Sequence, residues 1–442
     1  MHSHRENLLE GDIAPHMWRL AVPMMWGLFA MTSFGIVDTL YISRLGTTAL
    51  AALGFTMPMV MFYMGIIFGL SIGTTSVLSR AYGEGDFDKV RRLATDSLVM
   101  ATIIIASAAM AGYCLINDIF RLMGAKPDLM PLIHRFMAIW YCGMTFTGMM
   151  FVCNACIRAG GNTRLPSSLM TLASVLNICI DPFLIYGWGP FPKMGFAGAA
   201  LTLVISYTVA GCSGLYFLIM RKKLICFPLV YPGMMASWKK LLHVGAPSII
   251  SNLISPISAG VVTWMAADLG TEAVAALGVS TRIEGLAAMI FYALGAGVSI
   301  FTGQNFGAGN YGRVNDMSAL ATRYTLLWSV FTAVVLWVFA DRVPLLFDTH
   351  PLVISYTAQY MRIVPVSYGA MGVMIISNAV LNAMGKPLPA TMLILLRCIV
   401  LYIPLAYILQ RHYGFLGILI ALTITNFVVG ILSHLWNKIA TP

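Results

Sequence analysis

Two aspartates stand where few acids are found. The stretch GIVDTLYISRLG, residues 35–46, puts Asp38 at the end of an apolar run with no acid or base between Arg19 and Asp38. NICIDP, residues 177–182, puts Asp181 at a similar place in another apolar run, with Asn177 four residues before it and so on the same helical face. Two carboxylates sharing a partly dry site cannot both ionise cheaply, which makes the pair a proton-binding element. Alternatively, the carboxylates with amide and hydroxyl oxygens from Asn177, Asn154 or Thr202 would hold a hard cation such as Na⁺, which prefers oxygen ligands. A charge within a membrane span costs on the order of a few kcal/mol and marks a functional site by default. Pro23 and Pro182 lack an N–H, so each leaves an upstream carbonyl without its helical partner and gives its helix a point that bends; Pro23 is the candidate hinge.

The other candidates are weaker. Arg282, Glu284, Arg362 and Arg397 fall in apolar runs of the second half of the chain. Residues two apart do not face each other on a helix, so Glu284 is expected to pair across helices rather than with Arg282. A structural ion pair is the first reading, and a part in ion coupling keeps Glu284 as a secondary candidate. Cys153 and Cys156 form a C-x-x-C, but no second pair accompanies them, and the eight cysteines lie in or beside apolar runs as packing residues rather than disulfide partners. The glycines at 295, 297, 303 and 307 follow no strand that would support a phosphate loop, and no H-E-x-x-H occurs. No enzyme signature emerges, and no cofactor is expected.

The elements that must position these residues are transmembrane helices. Hydrophobic residues make up 59% of the 442-residue chain and charged residues 10%, whereas a soluble domain is roughly a quarter charged. Mean hydropathy is +0.82. Twelve apolar runs are long enough to cross about 30 Å of hydrocarbon, near 16–41, 48–79, 94–116, 131–156, 167–187, 195–219, 243–267, 274–302, 317–340, 354–380, 388–410 and 414–436. Their continuous apolarity favours helices over a barrel. The fold class is therefore an all-α membrane protein. The start of the chain carries acids and no A-x-A-like site follows the first run, so the first span is expected to be retained rather than cleaved as a signal.

Net charge of +10 does not point to nucleic acid, because the basic residues are sorted by side. With the N-terminus inside, 16 Lys and Arg fall on one face, among them Arg91, Arg92, Arg221, Lys222, Lys223, Lys239 and Lys240, against 7 on the other. That asymmetry predicts both termini in the cytoplasm. The lipid bilayer is one partner, and the expected assembly is a monomer in the cell (inner) membrane.

The chain also repeats itself. LGTTALAALGF at 45–55 resembles LGTEAVAALGV at 269–279, an offset of 224 that also maps Pro23 onto Pro247, Gly83 and Gly85 onto Gly307 and Gly309, and Asn154 onto Asn378. The expected organisation is an N-terminal six-helix half over 1–219, a linker over 220–240 and a C-terminal six-helix half over 241–442. An even number of spans per half relates the halves by a pseudo-two-fold axis along the membrane normal, the arrangement of transporters built from parallel repeats. Carriage of a small solute by alternating access follows from it. Gly65, Gly69 and Gly73 make a tandem G-x-x-x-G face, read as close helix packing. At the same offset Asp38 maps onto Val262 and Asp181 onto Leu405, so the acid pair is confined to the first half.

These features together resemble the multidrug and toxic compound extrusion (MATE) transporters over nearly the whole chain. The resemblance is carried by P-x-x-x-G at Pro23 and Gly27, VDTLYISRLG, the paired loops SRAYGEGDFDKVRR and GQNFGAGNYGRV, RAGGNTRLP and NICIDPFLIYG. It implies an antiporter that exports organic, often cationic and amphipathic compounds against inflowing Na⁺ or H⁺. The set Asp38, Asn177 and Asp181 is similar to the DinF-like branch of that family. The nearest rival is a lipid-linked oligosaccharide flippase of the same superfamily, which would call for a more cationic cavity.

Overall fold

The computed structural model describes residues 8–229, 231 and 233–440. Among the described residues there is no strand, and twelve helices are long and apolar enough to cross a membrane. They are α1 Ile13–Ser43, α2 Thr47–Glu84, α3 Phe87–Cys114, α4 Met130–Ala159, α5 Arg164–Tyr186, α6 Phe196–Arg221, α7 Met234–Ala267, α8 Thr271–Gly307, α9 Tyr311–Val338, α10 Pro351–Ala383, α11 Pro387–Tyr413 and α12 Phe415–Ala440. The all-α membrane class read from composition is the observed one.

Several helices begin before their apolar runs do. α7 starts at Met234, so Lys239 and Lys240 are helical, and α3 starts at Phe87, so Lys89, Arg91 and Arg92 are too. Lys and Arg are good helix formers, and hydropathy registers only the part of a helix that lies in hydrocarbon. The ends are chemically marked: Gly85 closes α2 at φ +77°, and the Asp86 side chain accepts the Lys89 amide at 2.9 Å to open α3. Two interruptions were not legible beforehand. A 3-10 turn, Val364–Ser367, carries Pro365 inside α10, and a π-helical turn, Leu396–Tyr402, interrupts α11.

The chain divides into two compact units. Unit 1 holds Val22–Ile249, and its central helix α4 packs against α2, α3 and α6, with α5 against α6. Unit 2 holds Leu8–Ala21 with Ile250 onward, and its central helix α10 packs against α8, α9 and α12, with α11 against α12. These are equivalent sets of helices at the offset read from the sequence. α1 and α7 each change unit along their length, at 21/22 and at 249/250, close to Pro23 and Pro247.

Small residues make these crossings close. In unit 1 a Cβ added to Gly73 of α2 would lie 2.8 Å from the Leu241 carbonyl oxygen and 2.9 Å from Gly245 Cα, both on α7. In unit 2 a Cβ on Gly297, the repeat partner of Gly73, would lie 3.2 Å from Leu20 Cβ on α1. The G-x-x-x-G face is thus a helix-packing surface, as its spacing implies. The basic loop before α7 is tied to α3. Arg91 Nε donates to the Lys223 carbonyl at 2.9 Å and Arg92 Nη1 to that of Pro228 at 2.8 Å. The Arg92 guanidinium also lies 3.5 Å from the Tyr231 ring centroid and 3.2 Å from the buried Asp96 carboxylate.

Candidate functional site

Asp38 enters the interior of unit 1 from α1 and Asp181 from α5. Both helices run unbroken through their prolines, Pro23 and Pro182. α1 is seated on α5 by close contact: a Cβ on Gly27 would stand 3.3 Å from Ser167 Cα, and the Ser167 hydroxyl approaches the Met24 sulfur at 3.8 Å. This packing carries Asp38 toward Asp181, so that each carboxylate stands within electrostatic reach of the other. Asp181 has no exposed surface and Asp38 only 8%.

Other polar groups surround the pair. Thr202, buried on α6, lies against Asp181 and donates its hydroxyl to the Gly198 carbonyl at 3.0 Å. Asn177 lies one turn before Asp181 on α5, also buried. Asp38 Oδ1, both Asp181 carboxylate oxygens and both polar atoms of the Asn177 amide make no hydrogen bond. Buried polar atoms without partners are rare in folded proteins, and carboxylates among them call for a proton or a cation. Two anionic groups with amide and hydroxyl oxygens beside them are donors suited to either. Among the described residues no group of three or more His, Cys, Asp and Glu comes together that could hold a metal ion.

Asn154 is brought inside as well, on α4, but it makes no hydrogen bond to either carboxylate. Its repeat counterpart Asn378 is also buried, with its amide oxygen unpartnered. A residue present in both halves fits the shared scaffold better than a site found in one. Sequence reasoning missed Tyr207, buried on α6 and within the field of Asp38, and Ser206 beside it, whose hydroxyl is buried and unpartnered. The available signal was the spacing of Thr202 and Ser206, one helical turn apart in an otherwise apolar span.

The ion pair expected for Glu284 is not what forms. Glu284 accepts the Tyr360 hydroxyl from α10, with Tyr368 close by, while Arg282 is exposed. Positions two apart diverge around the helix, which turns Arg282 outward and leaves Glu284 facing a buried phenol. The pairing across helices holds, and the partner is neutral. Arg362 pairs instead with Asp341 at 2.6 Å in an exposed bridge. Cys153 and Cys156 are buried free thiols on α4.

Twelve spans in two like-built units, one with a buried carboxylate pair, define a membrane carrier rather than a catalyst. Comparison with known proteins makes this specific. The MatE family model matches residues 23–183 and again 247–408, two matches that begin at the offset of 224. The FAD transporter of Shewanella oneidensis is 34% identical over 442 residues, covering 99% of this chain and 97% of that protein. The multidrug export protein MepA of Staphylococcus saprophyticus is 23% identical over 430 residues, 95% of this chain and 92% of that one. The crystal structure of the Vibrio cholerae MATE transporter VcmN in its bent form superposes with a TM-score of 0.92 at 29% identity, covering 97% of each chain. The chain belongs to the MATE family of multidrug and toxic compound efflux transporters, which carry small organic compounds within a membrane and are not enzymes.

Proposed function

We propose that the chain is a secondary active antiporter of the cell inner membrane, with both termini cytoplasmic, that exports a small organic compound in exchange for H⁺ or Na⁺. The observation that carries this reading is the buried pair Asp38 and Asp181, of which Asp38 Oδ1 and both Asp181 oxygens make no hydrogen bond. Asp38 and Asp181 receive the coupling ion, Thr202 and Asn177 supply neutral oxygens beside it, and Pro23 lets α1 flex as the site loads and empties. The sorting of basic residues by side supports the orientation, and a monomer holds the complete pair within one unit. Lone-pair donors of this kind fit a bare ion better than a pyrophosphate, which favours antiport over the flippase alternative.

The cargo has two readings. Amphipathic organic cations follow from the acidic character of the site. A flavin dinucleotide follows from the 34% identity to the Shewanella FAD transporter across 99% of this chain. The test is flux in proteoliposomes of the purified chain, with pH and Na⁺ gradients imposed separately and ethidium or FAD as cargo. Export driven by one ion gradient supports the reading, and flux indifferent to both ions overturns it.

A further inference from the structure

A guanidinium stands deep within a span of unit 2. Arg397 lies near the middle of α11, at the start of the π-helical turn Leu396–Tyr402, a winding frequent at functional sites. Its Nε donates to Asn426 Oδ1 of α12 at 2.9 Å. The Asn426 amide nitrogen donates to Ser367 Oγ at 2.9 Å, and Ser367 Oγ donates to the Val364 carbonyl at 2.8 Å. Three elements of unit 2 thereby fix the direction of one cation. Asn426 and Ser367 are both buried.

That cation makes no ion pair. The ion pairs among the described residues are Lys89 with Glu84, Arg91 with Asp88, Arg92 with Asp96 and Arg362 with Asp341, and Arg397 is in none of them. Glu284 is engaged by Tyr360 instead. An arginine carries five N–H donors, and the tether to Asn426 uses the one on Nε, leaving the terminal fork facing no hydrogen-bonded protein acceptor. A neutral side chain would serve Asn426 equally well, so a charge kept inside a span points to a ligand. Aromatic rings complete the surroundings: Tyr292 on α8 and Tyr402 on α11 both stand in the field of Arg397 and of Glu284, and Tyr292 is 57% exposed.

We propose that Arg397 recognises an anionic group on the transported cargo, and that this cargo is an aromatic compound bearing a phosphate or carboxylate, with Tyr292 offering a ring for stacking. This rests on the flavin reading of the cargo given above. A guanidinium fork matches phosphate and carboxylate oxygens two at a time, and a fork already oriented by Asn426 loses little freedom on binding. Phenol rings accept the face of a flat heterocycle.

Flavin fluorescence titrations of the full chain in neutral detergent, free of anionic lipid, test it with FAD, FMN and riboflavin. Riboflavin has the same ring system without phosphate. In Arg397→Gln, FAD and FMN affinity fall about tenfold or more, the loss of a charge-assisted contact, while riboflavin affinity holds. Arg397→Lys recovers part of the loss, and Tyr292→Leu weakens all three flavins alike. Unchanged FAD affinity in Arg397→Gln overturns the assignment of Arg397 and leaves the flavin reading intact. Equal loss of riboflavin and FAD in that variant, with nothing recovered by Arg397→Lys, also overturns the assignment. Wild-type protein that binds no flavin overturns the flavin reading and this site together.

Discussion

Unit 1 and unit 2 share a scaffold and differ in what fills it. Where unit 1 has Asp38 and Asp181, unit 2 has Val262 and Leu405 at the repeat offset. Val262 is buried in an apolar cluster with Ala266, Ala273 and Leu419, and Leu405 packs against another built on Met265, Ala406 and Ala421. The charges of unit 2 sit elsewhere and are held: Glu284 by a phenol, Arg397 by an amide. Some positions are polar in both halves, Asn154 with Asn378 among them. Thr202 maps onto Asn426; the first lies against Asp181 and the second binds Arg397. The repeat shares its helix packing and some polar positions, Thr202 with Asn426 among them, while each half has its own charged group. Unpartnered carboxylates suit a group that must gain and lose an ion, and the tethered charges of unit 2 suit fixed recognition.

The sharpest way to break this comparison is to neutralise the pair. Asp38→Asn keeps the size of the side chain and removes its charge. Gradient-driven export in proteoliposomes is expected to drop to the level of protein-free vesicles, with the variant still monodisperse. Transport at the wild-type rate would remove Asp38 from the mechanism. Asp181→Asn is expected to be nearly as severe, whereas Glu284→Gln, which keeps an oxygen to accept the Tyr360 hydroxyl, leaves most of the flux. Equal losses at 181 and 284 would extend the coupling site into unit 2.

A smaller effect should appear in binding. An antiporter avoids holding cargo and coupling ion together, and linkage is reciprocal, so whatever weakens cargo binding when the ion is bound weakens ion binding when cargo is bound. Cargo affinity therefore falls as H⁺ or Na⁺ concentration rises, by a few-fold to about a hundredfold for coupling of ordinary strength. For H⁺ the sign follows from chemistry: lowering the pH protonates the carboxylates, which loads the ion and expels cargo. Asp38→Asn mimics the protonated acid and flattens the dependence. Titrations at several pH values and Na⁺ concentrations measure it, and an affinity indifferent to both in the wild type would count against antiport.

Much of the fold was legible because hydrocarbon imposes one demand on every span, and the length and apolarity of α1 to α12 answer it. The acid pair was legible for the same reason: Asp38 and Asp181 stand out against an apolar background. What escaped depends on packing between helices. Tyr207 looks like any aromatic of α6 until the fold brings it near Asp38. The partner of Glu284 is a tyrosine in a sequence with 18 of them, and nothing in the chain singles out Tyr360. The π-helical turn at Leu396–Tyr402 has no compositional mark, since its residues would serve as well in an α-helix.

The repeat also sets a quieter contrast between Gly73 and Gly297, which occupy equivalent places on α2 and α8. At Gly73 an added methyl meets the Leu241 carbonyl oxygen at 2.8 Å and Gly245 at 2.9 Å, backbone atoms that give way only if α7 moves as a whole. At Gly297 the nearest atom is Leu20 Cβ at 3.2 Å, and the next, the Ala21 amide nitrogen, is at 3.6 Å, so a shift of a few tenths of an ångström clears it. Replacing a helical glycine by alanine brings roughly 0.5–1 kcal/mol of backbone entropy in both cases. Overpacking against rigid neighbours costs about 1–3 kcal/mol, which outweighs that gain at Gly73 and only balances it at Gly297. Gly73→Ala should therefore lower the temperature at which half of the purified protein loses its monodisperse peak on size-exclusion chromatography, while Gly297→Ala leaves it within error of the wild type. Equal shifts in the two variants would mean that the crossing of α2 with α7 is no tighter than that of α8 with α1, and that the units differ in their charged groups alone.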